Sequence, residues 1–178
     1  MPAKANALNI SRHFTESGKD PFDKLSWSKR DVEIRNFDGS VAFSMKDVNL
    51  PDNYSQVAAN VLAQKYLRKA GIPKKLRKVK EKAVPSWLQR SVPDLKSMEN
   101  LSEGEKFGEE IDGKQTFRRL AGTWTYWGWK HGYFASEEDA KAYFDEMCYM
   151  LASQMVAPNS PQWFNTGLNW AYGIEGPA

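Results

Sequence analysis

Fourteen of the 23 aromatic side chains of this 178-residue chain fall in residues 115–172, five of its seven tryptophans among them. Rings in that number dominate whatever core or interface the chain builds, so their spacing decides its architecture. Phe117, Leu120, Trp124 and Trp127 recur at steps of three and four, which predicts a helix from Thr116 to about Lys130. Ser136-Glu137-Glu138-Asp139 reads as a cap with acidic charge in the first turn. A second helix should run from there to about Met155. Tyr143, Phe144, Met147, Leu151 and Met155 would be its buried stripe, with Cys148 beside them and Pro158 beyond its end.

Upstream the pattern changes. Val32 and Ile34 alternate with charged residues, Phe37-Asp38-Gly39-Ser40 interrupts, and Val41, Phe43 and Met45 alternate again, which predicts a β-hairpin. A helix capped by Asp52 or Asn53 should follow Pro51. Its stripe would be Tyr54, Val57, Ala58, Val61, Leu62 and Tyr66, and Gly71 and Pro73 would end it. Residues 83–113 carry three glycines and two prolines, so only short helical turns are expected, anchored by Leu88, Leu95, Leu101 and Phe107. Residues 1–25 are polar and aperiodic, a flexible lead-in in which Phe14 and Phe22 offer docking points. The fold expected is mainly α with one small β-hairpin.

Composition narrows the function. Hydrophobic residues make up 41% and charged residues 26%, with mean hydropathy −0.65, which excludes collagen-like, mucin-like and wholly disordered chains. Apolar runs are too short for a transmembrane helix, and the mixed N-terminus does not read as a secretory signal. One cysteine and two histidines, His13 and His131, argue against a disulfide framework and against the usual zinc ligand sets. A cytoplasmic, reduced location is expected. Net charge of +3 is weak grounds for a polyanionic partner. The run KKLRKVKEK at 74–82 reads either as a solvated connector or, with Trp124, Tyr126, Trp127, Trp129, Arg118 and Arg119, as part of a single-stranded nucleic-acid surface.

Catalytic motifs are scarce: there is no GxGxxG, GxxxxGK[ST], HExxH or CxxC. A Cys148–His131 pair is conceivable, but Cys148 falls on a helix stripe where a thiol behaves as a small hydrophobe. His131 reads as a helix-end residue. The segment 157–167, Ala-Pro-Asn-Ser-Pro-Gln-Trp-Phe-Asn-Thr-Gly, is different. Prolines on both sides of Asn159-Ser160 fix the backbone, leaving a hydroxyl and amides either in a loop suited to an anionic group or in a rigid connector.

That segment, PNSPQWFNTG, resembles the PNSPxxFNxG stretch of class II ribonucleotide reductases, the adenosylcobalamin-dependent large chains. SWSKRDVEIRNFDGSVAF, VLAQKYLRKAGIP and RRLAGTWTYWGWKHGYF resemble the N-terminal region of the long bacterial members, and the likeness spans most of residues 27–178. It implies a mostly helical N-terminal domain over 26–156. Residues 157–178 would begin the catalytic ten-stranded α/β barrel, which this sequence does not contain.

The resemblance also implies that Ser160 contacts a ribonucleotide, with Asn159 and Pro161 shaping its loop. It implies a ribonucleoside-diphosphate reductase for DNA synthesis, a homodimer with a thioredoxin-type reductant. The rest of the polypeptide, fused or separate, would carry adenosylcobalamin. The family's thiyl cysteine, its Asn and Glu neighbours and its redox cysteine pair match nothing here, and Lys29-Arg30-Asp31 is only a fragment of an ATP-cone pattern. Since one cysteine cannot both form the radical and supply a dithiol, the isolated chain is expected to be inert. Apolar surface inviting a partner is expected around its last residues, Tyr172 to Ala178.

Overall fold

The computed structural model describes residues 7–175; residues 1–6 of the expected lead-in and residues 176–178 lie outside the described residues. The hairpin forms from β1 (Trp27–Arg35) and β2 (Val41–Pro51), antiparallel with Val32 opposite Met45 and Ile34 opposite Phe43. Gly39, at φ +85°, makes its turn, and Asp38 accepts from the Ser40 N–H at 2.9 Å. Val32, Met45, Val48 and Leu50 turn one face of the ribbon into the core.

The helix after Pro51 is shorter than expected, and its stripe is different. Ser55, not Asp52 or Asn53, caps α1 (Gln56–Val61), accepting from the Ala58 N–H. A π-helical turn over Leu62–Tyr66 comes next, and the chain is extended from Leu67, before Gly71. Ala59, Leu62 and Ala63 are buried, whereas Val57 is 72% exposed and Val61 also faces water. The small side chains let this segment lie close to the ribbon.

The basic run is also not merely a connector. It contains β4 (Leu76–Lys78), paired with β5 (Ser91–Pro93). A third two-stranded sheet joins β3 (Ile72–Pro73) to β6 (Phe107–Gly108), next to the short helix α2 (Glu103–Lys106). Residues 83–113 otherwise hold only short turns. Leu88 anchors them together with Val84 and Met98, while Leu95 is 60% exposed and Phe107 also faces solvent. With 39% helix and 20% strand, the architecture is mixed helix and antiparallel ribbon; among the described residues three two-stranded sheets stand where one hairpin was expected.

Two long helices form the spine. Asp112 and Gln115 make a capping box at the start of α3 (Gly113–Lys130), and Ser136 caps α4 (Glu137–Ala152) by accepting from the Asp139 N–H. Phe117 and Leu120 are buried as their spacing requires, and Cys148 and Leu151 face them from α4. α4 stops three residues short of the expected end. The Ser153 hydroxyl turns back on the Tyr149 carbonyl at 2.7 Å, Gln154 adopts φ +61°, and Met155 is left in solvent.

Residues 7–25 have no helix of their own and lie along α4. Glu146 accepts the Phe14 and Thr15 N–H groups and the Thr15 hydroxyl, Arg12 meets Asp145 at 2.6 Å, and Phe22 enters the core. Burial opposes ionisation of Glu146, yet the hydrogen bonds from Thr15 and Phe14 outweigh it and hold the carboxyl below its ordinary value.

Candidate functional site

Trp163 fixes the Asn159-Ser160-Pro161 segment. Asn159 is extended, and Ser160 begins α5 (Ser160–Asn165) with Pro161 in the first turn, where a missing N–H costs nothing. The Trp163 indole is buried, donates to the Pro158 carbonyl at 2.9 Å, and lies between Tyr66 and Phe117. The three expected residues therefore share one turn at the surface, all exposed. Ser160 Oγ stands 3.2 Å from the Tyr66 hydroxyl. Beside this pair a shallow cavity of about 290 Å³ is lined by Lys65, Tyr66, Arg68, Lys69 and Phe164. Three cations, Lys65, Arg68 and Lys69, are among its lining residues.

Behind the turn is a buried ion pair that the sequence did not single out. Arg119 Nε meets Glu110 Oε1 at 2.9 Å, and both side chains are 1% exposed or less. The guanidinium also donates to the carbonyls of Thr166 at 2.7 Å, Trp163 at 3.2 Å and Tyr66 at 3.4 Å. Glu110 accepts from the Arg68 N–H, the Thr116 hydroxyl and the Tyr172 hydroxyl. Burial alone would raise the Glu110 pKa, but the Arg119 charge and these donors hold it below the ordinary value. One arginine thus ties the end of α5, the π-helical turn and α3 together.

Gly167, at φ +88°, starts α6 (Leu168–Tyr172) against the Arg119 carbonyl, where a Cβ would stand at 2.4 Å. Tyr172 and Leu168 are buried rather than presented as apolar surface; the exposed apolar ring here is Phe164.

The other candidates are not brought together. Cys148 is fully buried, and desolvation pushes its thiol well above the ordinary range, while His131 is exposed at the end of α3. Of the aromatic set, Trp127 is half-exposed, but Trp129 donates to the Ala83 carbonyl and Tyr126 to Glu81, so these groups tie the basic segment to α3. Arg119 is buried in an ion pair with Glu110, and the half-exposed Arg118 pairs with Asp20 at the surface. Among the described residues no group of three or more His, Cys, Asp or Glu could hold a metal ion.

Arg119 was legible only as half of Arg118-Arg119. Helical spacing sets Arg119 between Thr116 and Thr123, a buried polar stripe beside the one carrying Phe117 and Leu120. Tyr66 was placed on a buried stripe; its hydroxyl was the sign that one end of the ring must be satisfied.

Residues 28–154 match a family model described as class II vitamin B12-dependent ribonucleotide reductase, a match that ends just before Asn159. The vitamin B12-dependent ribonucleotide reductase of Agrobacterium fabrum is 58% identical over 170 residues, 96% of this chain and 13% of the relative. That of Bradyrhizobium diazoefficiens is 56% identical over 170 residues, 96% of this chain and 14% of the relative. That of Streptomyces avermitilis is 32% identical over 166 residues, 92% of this chain and 14% of the relative. The chain therefore spans about a seventh of the length of these curated relatives.

Proposed function

The chain belongs to the class II vitamin B12-dependent ribonucleotide reductase family as its N-terminal region, and from that premise we propose that it forms the substrate-loop portion of an enzyme that converts ribonucleotides to deoxyribonucleotides. The observation that carries the reading is the exposed Ser160 hydroxyl, held at a fixed turn by Trp163 and Arg119 beside a cation-lined cavity. In this reading Ser160 donates to the ribonucleotide, and Asn159 and Pro161 set the backbone that presents it. The side chain's position is fixed before the ligand arrives, so binding costs little ordering entropy.

Adenosylcobalamin would supply the radical that starts the reaction. The residues of this chain do not fit it. Two of its clefts, about 700 and 690 Å³, lie within the roughly 300–1,000 Å³ range of sites for drug-sized ligands, and a corrin with its adenosyl and nucleotide arms is larger than those. We assign the cofactor, the thiyl cysteine and the reducing dithiol to the rest of the reductase, fused or separate. A homodimer of the full enzyme, a thioredoxin-type reductant, diphosphate substrates and a cytoplasmic location belong to the same proposal. Among the described residues no helix is long and apolar enough to cross a membrane. Cys148, buried and poorly ionised, leaves this chain inert by itself.

Ser160→Ala in the complete reductase should raise KM for the ribonucleotide about 2- to 12-fold, the loss expected for one hydrogen bond. Steady-state kinetics check this, and an unchanged KM removes Ser160 from the site.

A further inference from the structure

We propose that Tyr66 is the positioning residue for Ser160: its phenol donates to the Ser160 hydroxyl and so turns that hydroxyl's own proton outward, toward an acceptor atom of the bound ribonucleotide. The inference rests on the reading of Ser160 given above.

Geometry places the two oxygens 3.2 Å apart, and the Tyr66 ring stacks on Trp163 with centroids 5.1 Å apart and planes 17° from parallel. The phenol cannot swing away from Ser160 without breaking that stack. Its backbone is held as firmly, since the Tyr66 carbonyl accepts from the buried Arg119. The π-helical turn is what aims the ring. The Leu67 N–H bonds to the Leu62 carbonyl, five residues back, in place of the four-residue spacing of an α-helix. One inserted residue rotates the downstream side chains by about 100° relative to a regular α-helix. Such turns are rare and frequently lie at functional sites. Tyr66 is only partly buried and faces α5.

The chemistry gives the pair a direction. A serine hydroxyl has one proton and two lone pairs, and a phenol is the more acidic donor of the two. With Tyr66 donating, Ser160 accepts on one lone pair and keeps its proton for the ligand. Hydrogen bonds in such a chain polarise one another, which strengthens the outer one. Ser160 therefore acts as a donor, and the ligand atom it meets is an acceptor.

The test uses the complete reductase with Tyr66→Phe, Ser160→Ala and the double variant, measuring ribonucleotide Kd, KM, kcat and thermal midpoint. Phe keeps the stack on Trp163 and removes only the hydroxyl. Tyr66→Phe should raise Kd and KM about 2- to 12-fold with a smaller change in kcat. The double variant should bind no more weakly than Ser160→Ala alone, because Tyr66 acts through Ser160. A Tyr66→Phe enzyme with parental Kd, beside a weakened Ser160→Ala, overturns the role of Tyr66 and leaves Ser160 in place. Additive losses overturn it as well, since they mean two separate ligand contacts. A lower midpoint with unchanged KM makes Tyr66 structural. Parental Kd in Ser160→Ala removes the substrate reading itself, and this inference with it.

Discussion

Arg119 and Glu110 pose the sharpest energetic question, because two charges taken wholly out of water must recover a desolvation penalty of several kcal/mol each. They do so by saturating their hydrogen-bonding capacity: Arg119 reaches three backbone carbonyls besides the carboxylate, and Glu110 accepts from three further donors. Removing one partner leaves the other charged and alone, so Glu110→Gln should cost about 3–5 kcal/mol in a denaturant titration.

The pH dependence has its origin in the same contacts. The folded-state pKa of Glu110 lies below its ordinary value of 4.5, so its contribution is complete above that value and lost as pH falls through the lower, folded-state one. The stability gap between the parent and Glu110→Gln should therefore narrow below pH 4.5; a gap that stays constant into acid contradicts the assignment. Neither residue could be paired from the sequence. They are nine positions apart across a helix cap, and a doublet of arginines beside aromatic rings reads equally well as a solvated edge.

Helices α3 and α4 were the most legible elements: periodicity marked both, and the Ser136 cap marked the start of α4, whereas the Asp112–Gln115 capping box begins α3 three residues before the expected Thr116. The elements that were missed depend on partners distant in sequence. The strand in the basic run pairs with residues 91–93, and Tyr66, at the end of the π-helical turn, stacks on Trp163.

Close approach between elements adds a prediction of its own. Trp170 of α6 packs closely against Gly122 of α3, so that a Cβ there would stand 2.1 Å from its ring, and the indole is further pinned by donating to the Leu88 carbonyl at 2.9 Å. Gly122→Ala gains up to about 1 kcal/mol of helix propensity and incurs overpacking of about 1–3 kcal/mol. The variant should be less stable than the parent by thermal unfolding. A raised midpoint contradicts the packing described.

Across the whole molecule, the ribbon, the two long helices and the arm of residues 7–25 share one core running from Phe22 through Phe117 and Leu120 to Leu151. A smaller cluster of Ile72, Leu168 and Tyr172 secures α6. The site was legible as far as its turn: Asn159, Ser160 and Pro161 are adjacent in sequence and their prolines announce a fixed backbone. What holds the turn was not, since Tyr66, Glu110 and Arg119 come from three separate stretches that only packing unites.

The family, together with relatives about seven times longer, makes the central claim one about cooperation between this region and the rest of a reductase. The most direct measurement is deoxyribonucleotide formation by the remaining reductase portion with adenosylcobalamin and a dithiol, assayed with and without this chain. The account predicts product only when both parts are present, and none from this chain alone. Full turnover by the remaining portion without this chain, or reduction by this chain alone, would contradict it.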